Sequence, residues 1–306
     1  MRKIFDIHTH VYPDAIAQRA AQALGAFYRF EPRGGGTFSD FLQDSSGMRH
    51  GFLLLGVATN AHQVASVNRF LAQCVRSACA QGYAAYGFAG LHQDTPDMAA
   101  ALESARADGL CGLKLHPDIQ GADINDRRFY PAYDYLCQNH LPLCLHMGDD
   151  RPAFRFSAPE KLRALLRDFP KLRVLASHFG GYREAEHAAE VLYGEKELFF
   201  DTSSTLWYLP PQTAKKLLHR MDSEHICFGT DYPVFRIRDE LSLFDRLDLP
   251  ERFAEKILRE NAHRFLENVP CPTAALRRRR QHRCAARAVE RRLERAVHPS
   301  GHGQCL

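Results

Sequence analysis

Eight short apolar runs recur along this 306-residue chain, each separated from the next by a stretch of helical periodicity. That alternation limits the fold more than any other feature. The runs are KIFDIH (3–8), GFLLLGVA (51–58), YAAYGFAG (83–90), LCGLKLH (110–116), LPLCLH (141–146), LRVLASH (172–178), ELFFDTS (197–203) and HICFGTD (225–231). Between them, stretches such as HQVASVNRFLAQCVRSACAQ, TPDMAAALESARADG and SAPEKLRALLRDF place apolar residues three and four apart, several opening on Ser, Thr or Pro. Strands that alternate with helices pair in parallel through right-handed crossovers. Eight such units within residues 1–270 predict an α/β protein of the (β/α)8 barrel class. An open doubly wound sheet is the alternative, but the first run leads into HTHVYPDA and not into a glycine-rich phosphate loop.

Two segments break the rhythm. Residues 31–50, EPRGGGTFSDFLQDSSGMRH, predict a loop and a short helix, and a long loop in a barrel forms a lid or a substrate wall. After the eighth unit, LPERFAEKILRENAHRFLENV predicts a further amphipathic helix that closes the domain near Val269. Residues 271–306 hold nine arginines, no lysine and two glutamates, so the tail is basic while residues 1–270 are mildly acidic. The expected organisation is a barrel over 1–270 and a loosely helical or disordered tail over 271–306 that does not belong to the domain and is dispensable.

Composition bears on partners and compartment. No apolar run reaches the roughly 18 residues that span a bilayer, and no signal-peptide pattern opens the chain, so a cytoplasmic protein without a membrane partner is expected. The nine cysteines contain no Cys-x-x-Cys and read as reduced thiols. The arginine tail admits a non-catalytic nucleic-acid-binding reading, which its lack of interleaved aromatics weakens. The expected partner is a small-molecule substrate, and a homodimer is compatible with the composition.

The chemistry lies at the carboxyl ends of the runs. His8 and His10 close the first run, two apart and therefore on one face of a strand; Lys114 and His116 close the fourth, His146 the fifth, His178 the sixth, Asp201 the seventh and Asp231 the eighth. In a barrel those ends meet on one face, where active sites form. Imidazoles on four strands and a carboxylate on the last are hard to explain as packing, because buried ionisable groups cost several kcal/mol each unless paired or bound to metal. Imidazoles with one carboxylate suit a divalent metal, zinc first, with one or two ions.

The motifs DIHTH, GLKLHP, LCLHMG, ASHFGG, FFDTSS, FGTDYP and KILRENAHRFL, taken in order, resemble the amidohydrolase superfamily. The similar branch is the amidohydrolase-related family that also contains aminocarboxymuconate semialdehyde and γ-resorcylate decarboxylases. The resemblance implies a metal-dependent hydrolase barrel in which His8, His10, His146 and Asp231 bind the principal metal. It implies that His178 ligates a second metal or assists the activated water, with Asp231 and His178 as the catalytic pair. Lys114 occupies the place where binuclear members carry a bridging carboxylated lysine; it also suits the positioning of an anionic substrate or a structural ion pair. His116 is the alternative site-facing group of that strand. Arg151 and Arg155 follow the fifth strand and suit a carboxylate clamp, and Tyr12, Trp207, Tyr208 and Tyr232 suit an aromatic wall. Lys114, His116, Arg151 and Trp207 are accordingly the expected substrate contacts. The function expected is hydrolysis of an amide, lactone or ester bond, with non-oxidative decarboxylation of an aromatic or unsaturated acid as the alternative.

Overall fold

A computed structural model describes residues 2–44 and 47–269, so the expected tail over 271–306 lies outside the described residues. Eight strands pair in parallel in sequence order. They are β1 (Ile4–Thr9), β2 (Arg49–Leu55), β3 (Ala84–Gly90), β4 (Leu113–Leu115), β5 (Leu143–Leu145), β6 (Val174–Ala176), β7 (Leu198–Asp201) and β8 (Ile226–Cys227). The first and last strands meet through the segment that follows β8: Ile7 N donates to Phe228 O at 3.0 Å, Asp231 N to His8 O at 2.8 Å and His10 N to Tyr232 O at 2.7 Å. The sheet is a nearly closed TIM barrel with helices between its strands.

Each predicted run overlaps one strand, but the later strands are shorter than the runs. From β4 onward the ladder covers two to four residues; Lys114 lies within β4, Asp201 ends β7, and His116, His146, His178 and Asp231 lie one to four residues beyond their strands. The apolar flanks are buried all the same, by packing and not by sheet pairing. Alternate residues point to opposite sides of the wall. Phe5, Ile7, Leu53, Phe88, Cys144 and Leu175 fill the barrel interior, whereas Phe52, Leu54, Leu113, Leu143, Val174 and Ile226 join the larger core under the helices.

The helix over residues 251–265, interrupted by a π-helical turn at Lys256–Glu260, delivers Phe265 to the end of the barrel opposite the histidines, against Phe88 and Phe199 at 6.2 and 5.2 Å between ring centres. That is the closing helix the sequence predicts. Between β1 and β2 stand two helices, α1 (Ala17–Tyr28) and α2 (Phe38–Asp44), joined by a loop with three successive glycines. A Cβ at Gly34 would lie 2.4 Å from the Tyr232 ring, so only glycine lets the loop pass over that side chain. Tyr232 OH in turn donates to Asp40 at 2.5 Å and accepts from Gly36 N, which fixes the loop to the segment carrying Asp231.

Candidate active site

Asp6 sets the position of the last predicted ligand. Its buried carboxylate accepts from Thr230 N at 3.0 Å and Thr230 Oγ1 at 2.9 Å, and it pairs with Arg49 at 2.8 Å. Asp231 follows Thr230 and takes a left-handed backbone at φ 57°, as do His178 at φ 60° and Ser204 at φ 51°. Such a backbone costs a non-glycine residue roughly 1–2 kcal/mol, and it persists where the surroundings fix it.

His8 and His10 converge as their spacing predicts, although His10 lies one residue past β1: their Nε2 atoms are 3.1 Å apart. His8 Nδ1 lies 3.0 Å from Asp201 Oδ2, and His10 Nδ1 lies 3.0 Å from Leu55 O. A carbonyl oxygen and an ionised carboxylate only accept, so each Nδ1 carries a hydrogen and turns its Nε2 toward the shared spot. Asp231 Oδ1 lies 3.4 and 3.5 Å from the same two nitrogens, while its other oxygen accepts from Ser204 Oγ at 2.7 Å. Three acceptor atoms thus crowd one spot. Burial, then His8 and Lys114, hold the His10 imidazole well below its usual pKa, which keeps it neutral. The Asp201 carboxyl would be raised by burial, but the charge and hydrogen bond of His8, with help from His178 and Ser203, hold it well below the usual carboxylate range.

His178 Nδ1 donates to Ser203 O at 2.9 Å, so its Nε2 accepts, and the atom facing it is His146 Nδ1 at 3.0 Å. His146 therefore meets His178 directly. Its ring also stacks on His116, with centres 3.9 Å apart and planes 11° apart, and its Nε2 lies 2.9 Å from Tyr28 OH. Tyr28 OH is 3.1 Å from His116 Nε2 as well, and Asp118 Oδ2 is 3.7 Å from His146 Nε2. Burial lowers both imidazoles well below their usual pKa, with Lys114 and His178 adding to it at His116 and His116 and His178 adding to it at His146, and burial pushes Asp118 up to about 7.

Among the described residues, three groups bring ligand atoms within 4.8 Å of one another: His8, His10 and Asp231; His8, His178 and Asp201; and His116, Asp118 and His146. The five predicted ligands share one face, but His146 groups with His116 and Asp118 and not with His8, His10 and Asp231. The first group suits a divalent cation on its chemistry: two imidazole nitrogens and a carboxylate oxygen converge on one spot, and Asp201 behind His8 completes a carboxylate–histidine arrangement typical of metal ligands.

Of the expected substrate contacts, His116 and Trp207 line a cavity of about 980 Å³ whose floor is formed by His8, His10, His146, His178 and Asp231. Lys114 and Arg151 are placed elsewhere. Lys114 is fully buried beneath the floor, with Nζ 3.3 Å from His8 Nε2 and 3.5 Å from Cys144 Sγ. Arg151 forks onto Asp149 at 2.8 and 2.6 Å and donates to Phe27 O. Arg155 pairs with Glu184 at 3.2 Å. Of the aromatic residues, Tyr12 joins Trp207 on the wall, whereas Tyr232 is fully buried under the glycine loop and Tyr208 OH accepts from Arg183 N. Sequence reasoning missed Tyr28, Asp118, Ser203 and Ser204. Asp118 follows directly on the KLHP motif and Ser203 and Ser204 on Asp201, which is the signal that points to them; Tyr28 ends α1 with no such neighbour.

With this geometry in view, the comparisons define the class. The amidohydrolase family model matches residues 5–267, and the chain belongs to that family. No curated protein matches the sequence. Among solved structures, an uncharacterized TIM-barrel protein from Bordetella bronchiseptica is similar at a TM-score of 0.68 and 21% identity, over 86% of this chain and 98% of that one. A protein named as a candidate 2-pyrone-4,6-dicarboxylic acid hydrolase from Pseudomonas putida is similar at 0.62 and 17%, over 87% and 97% of the two chains. A 5-carboxyvanillate decarboxylase from Novosphingobium aromaticivorans with bound manganese is similar at 0.62 and 14%, over 87% and 97%. At these identities the likeness is one of fold. Members of the family are enzymes, hydrolases and decarboxylases among them, and no helix of the described residues is long and apolar enough to cross a membrane.

Proposed function

We propose that the chain is a metal-dependent hydrolase that turns water against an amide, lactone or ester bond of a small molecule, with zinc as the preferred ion. The supporting observation is the crowding of His8 Nε2, His10 Nε2 and Asp231 Oδ1 at the floor of a cavity large enough for a drug-sized molecule. His8, His10 and Asp231 would hold the cation, with His178 beside them. A divalent cation bound there polarises a substrate carbonyl and acidifies water toward pKa about 7.

The remaining steps belong to the side chains. Asp231 is held by Ser204 Oγ so that its free oxygen faces the two imidazoles, where it can accept the proton of a water. Once His146 Nδ1 turns away from it, His178 Nε2, an acceptor in the tautomer set by Ser203 O, can orient the same water. Asp201 keeps the His8 hydrogen on Nδ1 and so keeps its Nε2 available. Tyr28 and Trp207 give the cavity aromatic walls against bulk solvent.

Decarboxylation of an aromatic acid is the second reading, favoured by the likeness to a manganese-binding 5-carboxyvanillate decarboxylase. The family match supports an enzyme and lends nothing to the nucleic-acid-binding alternative. Screening lactones, esters, amides and carboxylated aromatics against zinc- and manganese-loaded protein separates the two. Alcohol or amine release with no carbon dioxide supports the hydrolase; carbon dioxide from a carboxylated ring replaces it with the decarboxylase.

A further inference from the structure

The floor of the cavity is polar, but its walls are not. On α1, Ala20, Ala23, Leu24 and Phe27 recur at helical spacing and face the cavity, so one amphipathic stripe of this helix is turned toward substrate space and not toward the barrel. Phe30, Trp207 and Phe235 complete the apolar rim.

The arginine that lines this space and the cations directly behind its walls and floor each have a partner. Arg33, the one lysine or arginine among the lining residues, stands at the mouth; it pairs with Asp239 at 3.2 Å, its guanidinium 5.8 Å from the Phe235 ring centre. Behind the wall, Arg151 is forked onto Asp149 and sandwiched by Phe27 and Phe154 at 4.6 and 4.1 Å. Arg183 lies 5.4 Å over Trp207 and faces Asp150 at 3.6 Å. Lys114 lies under the floor against His8 and Cys144. The acidic groups of the cavity are Asp231 at the floor and the exposed Glu31 at the mouth. A carboxylate on the body of a substrate, held away from the floor by the reacting bond, would therefore lose its water against apolar walls and meet no unpaired side-chain cation among the lining residues.

We infer that the site takes a substrate whose body is uncharged and apolar, a ring or short acyl group that lies against Phe27, Phe30 and Trp207 and presents an ester, lactone or amide to the histidines. The inference rests on the hydrolase reading only for the reacting bond. The substrate class follows from the walls, and it sets this chain apart from a site built for a ring that carries additional carboxylates.

The chain supplies its own reporter. Trp207 is its only tryptophan, it lines the cavity and it is 42% exposed, so filling the cavity changes its solvent contact and its emission. The test uses the full chain loaded with zinc and a pair of esters that differ in one remote charge: methyl benzoate and monomethyl terephthalate. Stopped-flow tryptophan fluorescence reads binding before turnover. Methyl benzoate should quench or shift the emission at a half-saturating concentration at least about tenfold lower than that of monomethyl terephthalate. Equal or tighter binding of the charged ester overturns the inference.

A variant makes the same point with the opposite sign. Leu24→Arg places an uncommitted cation on the α1 wall and should reverse the preference. Ala23→Arg, at an exposed position of that wall, serves if the first variant does not fold. An unchanged preference in a folded arginine variant also counts against the inference. Hydrolysis is read separately from binding. If the neutral ester binds selectively and neither ester is cleaved, the hydrolase reading fails and the substrate class stands. If both are cleaved and bind alike, the substrate class fails and the hydrolase reading stands.

Discussion

Replacing Asp201 by asparagine tests how the site keeps its ligands ready. The carboxylate is fully buried and receives four donors: His8 Nδ1 at 3.0 Å on one oxygen, and His178 N at 3.1 Å, Ser203 N at 3.1 Å and Ser203 Oγ at 2.5 Å on the other. Asparagine offers one acceptor oxygen. Three donors favour that oxygen on the backbone side, which turns the NH2 toward His8 and sets hydrogen against hydrogen. His8 relieves the clash by moving its proton to Nε2, and that removes the lone pair which faces His10 and Asp231. Loss of a carboxylate behind a ligating histidine costs about 10–100-fold in metal affinity, or roughly 1.4–2.7 kcal/mol. The buried mismatch takes a further ~1–3 kcal/mol from the stability of the fold. Zinc affinity measured by competition with a chromophoric chelator, beside a melting curve of the same sample, checks both effects. In a His8→Ala background the Asp201→Asn change should add little to the metal defect, because its effect runs through His8. A single variant that binds zinc within about twofold of wild type refutes the reasoning.

Asp231→Asn keeps the shape and removes the basic oxygen and one anionic ligand, so turnover should fall by about 10²–10⁴-fold on any substrate found; near-normal kcat in a steady-state assay would take Asp231 out of the mechanism. Asp118 gives a pH signature: burial, with Asp149 adding to it, pushes its carboxyl from 3.8 up to about 7, so between those values the folded protein holds a proton that the unfolded chain has released. Its contribution to stability is complete below pH about 4 and is lost as the pH rises through about 7. Asp118→Asn should flatten that decline in melting temperature, and an unchanged slope would contradict the assignment. Truncation after Val269 keeps the whole of the family match over 5–267 and should leave melting temperature and zinc content unchanged, which calorimetry and elemental analysis can read.

The eight apolar runs correspond one to one with the strands because parallel strands buried on both faces leave a continuous hydrophobic record. The convergence of His8, His10, His178 and Asp231 was legible for a related reason, since the end of a run marks the end of a strand and the barrel gathers those ends. Side-chain direction was not legible. The pattern that places His146 at the end of the fifth run does not say that its ring stacks on His116, nor that Arg151 two turns of loop later folds back on Asp149. Tyr28 was hidden for a different reason: it ends a helix whose stripe faces a cavity, and helical periodicity alone does not distinguish a cavity wall from a core. Ser204 was hidden because its role depends on a left-handed backbone that serine sequences do not announce.

The most direct test of the account is the metal content of the full chain after loading with zinc and removal of free ion by gel filtration, compared with His8→Ala and His10→Ala variants shown by circular dichroism to be folded. The wild-type chain should hold at least one zinc tightly, and both variants should lose it. A wild-type chain that retains no divalent metal, or variants that retain as much as wild type, would contradict it.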